Sequence, residues 1–363
     1  MRTVMTLFGT RPEIIRLSEF FKEVERRGFR HVMVNTGQNY SKSLNAAFFA
    51  ELGIRDADYH FGIEEPSIGK QIGQVIARTE EVVLKEKPEL LFVLGDTNSG
   101  LGALAAAHHG VKVAHWEAGM RSFNWEMPEE KNRHVIDGLS DFLFPYTEDA
   151  RRNLLLEGFK PNSIFVTGNP IVDVLEKWRK RIAGSRALAQ HKLKEKGYFL
   201  ATVHRVENVD RKGRFAEILK GFGLVAKRYG KPVVYPIHPR AKDKLAKFQL
   251  KAPEGVRLVE PLGFFDFAQL ERHASCLLTD SGTVQEEGVY FRVPCVSVRK
   301  ATERPETVEC GSNIVSGIDA ENIAACVGAA LETKPTWAYS LGDGRASVKV
   351  ANVIRGNLDL PVY

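Results

Sequence analysis

Residues 3–21, TVMTLFGTRPEIIRLSEFF, decide the fold. Thr3 to Phe8 form a nearly continuous apolar run, the mark of a strand covered on both faces. Gly9-Thr10 suits a tight turn, and Pro12 suits the first turn of a helix, where its missing N–H is not needed. Ile14, Leu17, Phe21 and Val24 then recur at helical spacing. A buried strand turning directly into an amphipathic helix is the start of a βα unit, and such units build parallel sheets. The turn leaves Arg11 at the carboxyl end of a strand and beside a helix N-terminus, where open α/β sheets bind ligands. Capping of a surface turn is the equal alternative for Arg11.

The same pattern repeats outward along the chain. Strands are expected at 31–37 (HVMVNTG), 90–96 (LLFVLGD), 111–119 (VKVAHWEAG), 141–147 (DFLFPYT) and 164–169 (IFVTGN). A charged, strand-free stretch with a Gly-Ser break follows at 176–197, reading as a helix that leads into a linker. A second alternation runs through 198–204 (YFLATVH), 232–239 (PVVYPIHP), 256–261 (VRLVEP), 276–282 (CLLTDSG) and 295–302 (CVSVRKAT). Two helical stretches close the chain, near 319–332 and 344–357. At 363 residues the chain is long for one core and comfortable for two. The expectation is α/β: two doubly wound domains facing a nucleotide cleft, 1–183 with 340–363 and 196–339, joined by a linker at 184–195.

Composition is that of an ordinary globular chain, 44% hydrophobic and 26% charged. A formal charge of +6 favours anionic ligands only weakly. No basic block or basic–aromatic stripe is present, which argues against a nucleic-acid partner. The run before Gly9 is too short for a signal peptide and no apolar segment spans a bilayer, so no membrane partner and a cytoplasmic location are expected. Cys276, Cys295, Cys310 and Cys326 show no metal spacing and read as reduced residues in or near the core.

Polar residues cluster where the expected strands end. GDTNS carries Asp96, HWEAG carries Glu117, and MPEEKNR opens a helix with Glu129 and Arg133 one turn apart. HRVEN carries His204 and Arg205, and TDSGTVQEE opens a helix at Ser281-Gly282-Thr283 with Glu287 one turn on. Free N–H groups and the helix dipole make that last N-terminus an anion site, and Gly282 admits a phosphate closely. Glu287 is placed to accept both hydroxyls of a ribose. Each residue also has an ordinary structural reading: Ser281 as an N-cap, Glu129 with Arg133 as an i,i+4 pair, Asp96 and Glu117 as turn carboxylates, His204 as a satisfied strand-end histidine. Phe265 and Phe267 could stack a base or fill the core. GLGALA at 100–105 fits a dinucleotide fingerprint, with Glu117 downstream, but falls inside an Ala-rich helix where small residues allow close packing.

Taken in order, GTRPEIIR, TGQ, GDTNS, EAGMRS, PEEKNR, TGNP, HRVEN, LTDSGTVQEE and ERPE resemble the non-hydrolysing UDP-N-acetylglucosamine 2-epimerase family from residue 9 to 306. The resemblance implies a glycosyltransferase-B-type fold with a C-terminal helix crossing back to the first domain, and a homodimer. It implies UDP binding by Arg11, Phe267, Ser281, Gly282, Thr283 and Glu287. It places Asp96, Glu117, Glu129 and His204 at the catalytic positions, with Arg16, Arg133 and Arg205 supporting substrate. The implied substrate is a UDP-2-acetamido sugar, with no cofactor and no metal, serving capsule or O-antigen synthesis. Expelling UDP and losing H2 to give a glycal needs acid/base groups on both faces of C2, which clustered carboxylates supply.

The sequence departs from that pattern in places. Arg16 stands where relatives commonly carry lysine, DSGT replaces Asp-Ser-Gly-Gly, and TGQNYS lacks the His-Arg after Gln38 that helps form a regulatory site. TGQNY, FFAELGI and IHPR point to a branch acting on other UDP-2-acetamido sugars. A hydrolysing relative, a glycosyltransferase and a non-catalytic UDP-sugar sensor are the competing functions.

Overall fold

A computed structural model describes residues 1–37, 49–65, 67–337 and 341–358. The first sheet comprises β1 (Thr3–Phe8), β2 (Arg30–Asn35), β3 (Tyr59–His60), β4 (Leu90–Leu94), β5 (Lys112–Trp116) and β6 (Phe142–Phe144). The second comprises β7 (Phe199–Thr202), β8 (Val233–Pro236), β9 (Val256–Val259), β10 (Leu277–Thr279), β11 (Cys295–Ser297) and β12 (Asn313–Val315). Their spatial orders are β3-β2-β1-β4-β5-β6 and β9-β8-β7-β10-β11-β12. The two sheets thus share one winding, and it is the 3-2-1-4-5-6 order of a Rossmann-like fold. Every paired strand is parallel. In each sheet the order reverses beside the first strand, between β1 and β4 and between β7 and β10. Ligands of such sheets bind outside the carboxyl ends at that point.

The chain divides into two compact units, Met1–Glu176 with Leu341–Tyr363 and Lys177–Ser340. In the first, β1 is buried at every residue, as its uninterrupted apolar run requires. Phe20, on the helix Arg11–Arg26, stacks on Phe92 of β4 with centroids 4.1 Å apart, and Trp116 meets both rings edge-on. The helix Ala346–Asn357 returns to this unit. Asp173 accepts hydrogen bonds from the backbone N–H groups of Ala346 and Ser347 at its start, and Arg27 reaches Asn352 Oδ1 at 2.6 Å. The second unit packs Phe199, Phe215, Phe222 and Tyr235 with Ile323 and Val327 of the helix Ala320–Glu332 in one core. No helix among the described residues is long and apolar enough to cross a membrane.

Glycines of the GLGALA stretch serve packing. A Cβ on Gly100 would come within 2.5 Å of Ile136 Cδ1, and one on Gly102 within 2.5 Å of Leu7 Cδ2. The stretch forms a 3₁₀ turn, Asn98–Gly102, running into the helix Ala103–His108, so the close-packing reading holds over the dinucleotide one.

Four elements differ from expectation. IFVTGN (164–169) is no strand; it makes a single bridge, Leu143 to Ile164. Phe165 N–H and Thr167 N–H donate to the Leu143 and Pro145 carbonyls, but Pro145 has no N–H to return, so the ladder stops. β3 has only two residues, and β12 (Asn-Ile-Val) is a half-buried edge strand with only two apolar residues, so neither leaves a hydrophobic signature. Within 184–195, read as a linker, a short helix Ala187–Gln190 buries Ala187 against Tyr198 and Leu200 of the second unit. Residues 38–48 lie outside the described residues, and with them the readings placed on Gln38 and TGQNYS.

Candidate active site

In the first unit the β1 turn is fastened to the β4 turn by one buried carboxylate. Glu13 accepts from Gly9 N (3.0 Å), Thr10 N (2.7 Å), Thr10 Oγ1 (2.7 Å) and Thr97 Oγ1 (2.8 Å). Burial raises its pKa, and these donors oppose the rise. Gly9 has no room for a side chain: a Cβ would sit 2.0 Å from Thr36 Oγ1. Arg11, the first helical residue, is half-buried beside this turn.

Asp96 and Glu117, from the ends of β4 and β5, converge on one guanidinium. Arg133 Nη2 contacts Asp96 Oδ2 and lies 3.2 Å from Glu117 Oε1. Arg16, buried on the first helix, pairs with Glu117 Oε2, which also accepts from Tyr146 Oη at 3.1 Å. Two arginines therefore face two carboxylates with little water, an arrangement that is stable only while it remains complete. Arg16 thus lies on Glu117 itself. Glu117 has φ +79°, a left-handed conformation costing a non-glycine residue of order 1 kcal/mol or more. Such strain clusters at functional sites because the surroundings hold it in place.

Glu129 and Glu130 separate in role. Glu129 is half-buried in the first turn of the helix Pro128–Leu139 and makes no hydrogen bond or ion pair among the described residues. The i,i+4 pair with Arg133 is therefore not formed. Glu130, fully buried, accepts from Ser122 N, Ser122 Oγ and Phe123 N, and stands 3.8 Å from Arg133 Nη1. It holds the loop that follows Glu117. Deeper still, His115, Asp137 and Arg121 form a buried chain beneath the two turns.

In the second unit, Asp280 at the end of β10 clamps the end of β7. It accepts from His204 N (3.1 Å), Arg205 N (3.0 Å) and Asn208 Nδ2 (3.0 Å). The His204 ring, 38% exposed, stands over the turn with Nδ1 3.6 Å from Asp280 Oδ1 and its plane near His238. Arg205 is anchored by Glu303 Oε1 at 2.7 Å, whose other oxygen takes Arg299 Nη1 at 2.7 Å. Ser281 occupies the N-cap of the helix Gly282–Phe291 but its hydroxyl makes no capping hydrogen bond, which removes the plain capping reading. Thr283 is half-buried in the first turn, and Glu287 is buried one turn on. Arg304, paired with Glu286 Oε1 at 2.5 Å, lies against this start: a Cβ on Gly282 would be 3.4 Å from its Cζ. Glu286, on the same helix, offsets the Arg304 charge beside the positive helix end. Phe267 is half-buried on the core that holds Tyr198 and Leu270, and Phe265 packs on Trp178 beneath Arg181.

Each switch point thus gathers the residues named from its own half of the sequence: Arg11, Arg16, Asp96, Glu117 and Arg133 in the first, His204, Arg205, Ser281, Gly282 and Thr283 in the second. Sequence reading missed Glu13, Tyr146, Glu130, Asp280 and Arg304. Glu13, Glu130, Asp280 and Arg304 stood inside the quoted motifs, while nothing local to Tyr146 signals its partner.

The chain matches the family model described as UDP-N-acetylglucosamine 2-epimerase over residues 22–355. It is 40% identical over 356 residues to the UDP-N-acetylglucosamine 2-epimerase of Methanocaldococcus jannaschii, covering 96% of this chain and 97% of that one. It is 36% identical to the UDP-2,3-diacetamido-2,3-dideoxy-D-glucuronate 2-epimerase of Pseudomonas aeruginosa, covering 97% and 99%. Among solved structures, the M. jannaschii enzyme in complex with UDP-GlcNAc and UDP superposes with a TM-score of 0.94 at 39% identity, covering 98% of this chain and all of that one. Two Rossmann-like domains in succession are the glycosyltransferase-B-type fold expected from the sequence, and the chain belongs to the UDP-N-acetylglucosamine 2-epimerase family.

Proposed function

We propose that the protein is a non-hydrolysing 2-epimerase that interconverts UDP-N-acetylglucosamine and UDP-N-acetylmannosamine, or acts likewise on a related UDP-2-acetamido sugar. The observation that carries this reading is the convergence of Asp96 and Glu117 on Arg133, with Glu129 in the first turn of the same helix. The C1–O bond breaks and its electron pair leaves with UDP. A carboxylate then takes the C2 proton, and the C–H electrons form the C1=C2 bond of a 2-acetamidoglucal. A second acid delivers a proton to the opposite face of C2, and the UDP oxygen re-forms its bond to C1. Carboxylates on two faces meet that demand, and the sequence of steps returns every atom, so neither a nicotinamide nor a metal is required. Arg11, His204, Arg205 and the helix start at Gly282 stabilise the leaving diphosphate, and Glu287 accepts the ribose hydroxyls.

The relatives' names support a UDP-2-acetamido sugar, and one of them is a uronate, so the sugar is the part a substrate panel must decide. A cytoplasmic homodimer feeding capsule or O-antigen synthesis, implied by the resemblance, belongs to the same proposal, and sedimentation tests the dimer. The central experiment incubates the chain with individual UDP-sugars in D2O and follows C2 by NMR. Deuterium entering C2 while the UDP-sugar pool persists is expected. Accumulation of free sugar and UDP would show a hydrolase, and absence of label with every UDP-2-acetamido sugar would refute the epimerase.

A further inference from the structure

We infer that His115 is a positioning residue for the acid/base pair: doubly protonated, it ties the carbonyl of Gly95, next to Asp96, to the carboxylate of Asp137. The inference rests on the reading that Asp96 and Glu117 perform the chemistry. His115 lies in β5, two residues before Glu117, and is fully buried. Its Nδ1 is 2.7 Å from Asp137 Oδ1 and its Nε2 is 2.9 Å from the Gly95 carbonyl oxygen. Both ring nitrogens therefore face oxygens. A neutral imidazole has one N–H and satisfies one of them; filling both needs a second proton, on the ring or on Asp137.

The surroundings place that proton on the ring. Asp137 Oδ2 already accepts from Arg121 Nη2 at 2.7 Å and Gly119 N at 3.2 Å. The always-charged Arg121 guanidinium, seated against Asp137 Oδ2, favours the ionised carboxylate there. Arg121 in turn is fixed by Glu157 through Nε at 2.8 Å and Nη2 at 2.6 Å. The ring is thus one link in an alternating chain of acceptors and donors running from buried Gly95 out to Glu157 at the surface.

The consequence is geometric. Gly95 has φ +78°, and its N–H donates to Trp116 O at 2.9 Å while its carbonyl receives His115. The turn that presents Asp96 is therefore fixed at both polar groups of the preceding residue, by the two residues before Glu117. At the other end, Asp137 holds Gly119 N, just past Glu117. One imidazolium–carboxylate pair sets the spacing of both carboxylates without touching the sugar.

Two measurements test this. In ¹⁵N-histidine-labelled chain, the signal lost in His115→Asn identifies the ring; N–H signatures at both ring nitrogens at neutral pH are expected. One unprotonated nitrogen overturns the inference whatever the activity. Kinetically, His115→Leu should lower kcat by about 100-fold through misplacement of Asp96. KM and UDP affinity should change little, and His115→Gln, whose amide can donate to Gly95 O, should recover part of kcat. Gly102→Ala, destabilising at a packing site, controls for mere instability and should keep its kcat per folded molecule. Unchanged kcat in His115→Leu, or a loss matched by Gly102→Ala at equal stability, overturns the inference. If the wild-type chain exchanges no C2 hydrogen with any UDP-sugar, it is the epimerase reading that fails, and the nitrogen signatures still decide the state of the ring.

Discussion

Replacing Glu117 by Gln changes one oxygen to an amide and keeps the shape, so it isolates charge at the centre of the carboxylate cluster. In the wild-type protein Oε2 receives Arg16 and Tyr146 Oη, and Oε1 receives Arg133. Glutamine retains one accepting oxygen. Arg133 keeps Asp96 and stands near Glu130, but Arg16 loses the Glu117 carboxylate and retains a contact of 3.2 Å to Tyr146 Oη. Breaking one partner of a buried pair costs about 3–5 kcal/mol, and the surviving amide contacts place this case near 3. For a domain of this size that lowers Tm by about 6–12 °C. On activity, loss of a positioned acid/base group slows C2 exchange by about 10²–10⁴-fold. The assay is NMR-detected deuterium incorporation at C2, run below the variant's Tm, with UDP binding followed by calorimetry. UDP affinity should survive, because Glu117 is not among the groups proposed to hold the diphosphate, which are Arg11, His204, Arg205 and the helix start at Gly282. A variant that loses the stability but exchanges C2 hydrogen at the wild-type rate would refute the catalytic role. One that keeps its Tm would refute the electrostatic account.

Four further outcomes are expected. Glu129→Gln should abolish C2 exchange with no loss of stability, since Glu129 makes no hydrogen bond among the described residues. Glu130→Gln, by contrast, should cost about 1–3 kcal/mol by leaving the Ser122–Phe123 loop under-satisfied; thermal melts with exchange assays separate the two. Gly102→Ala should cost about 1–3 kcal/mol through overpacking against Leu7 and Thr79, and a neutral melt would discount the close packing. Hydrogen bonds from Arg240, then Lys244, hold the Asp210 carboxyl at about 2 against its own desolvation. Its stabilisation is present above the unfolded carboxyl value near 4 and disappears as pH falls towards 2. Asp210→Asn should therefore be weaker by about 1 kcal/mol at neutral pH, after discounting for solvent screening, and by nothing near pH 2. Denaturant titrations showing the same difference at both pH values would contradict this.

Much of the architecture was legible because buried parallel strands announce themselves as apolar runs followed by helical periodicity, as at Thr3–Phe8 and Leu90–Leu94. What was lost lay at the sheet edges. β3 and β12 are two and three residues long and are defined by their neighbours, Val34 to Tyr59 and Cys295 to Asn313, rather than by any pattern of their own. The stretch 164–169 carried strand-like residues, yet its pairing depended on an N–H that Pro145 lacks. In the site, strand-end position exposed Asp96, Glu117 and His204. It did not reveal which carboxylates Arg133 would serve: spacing offered Glu129, whereas the fold delivered Asp96 and Glu117 from distant strands. Buried fasteners such as Glu130 and His115 look in sequence like any helix glutamate or strand histidine, because their function is defined wholly by long-range acceptors and donors.

The left-handed backbone at Glu117 bears on which residue the position accepts. Two residues on, the same loop uses glycine at φ +74°, where a Cβ would come within 2.3 Å of the Ala150 carbonyl. Judged by the main chain alone, position 117 favours glycine too, the residue for which that conformation carries no steric penalty. Glycine there would leave Arg16 and Arg133 without the Glu117 carboxylate, so the same two ion pairs hold both the residue type and its strained backbone in place.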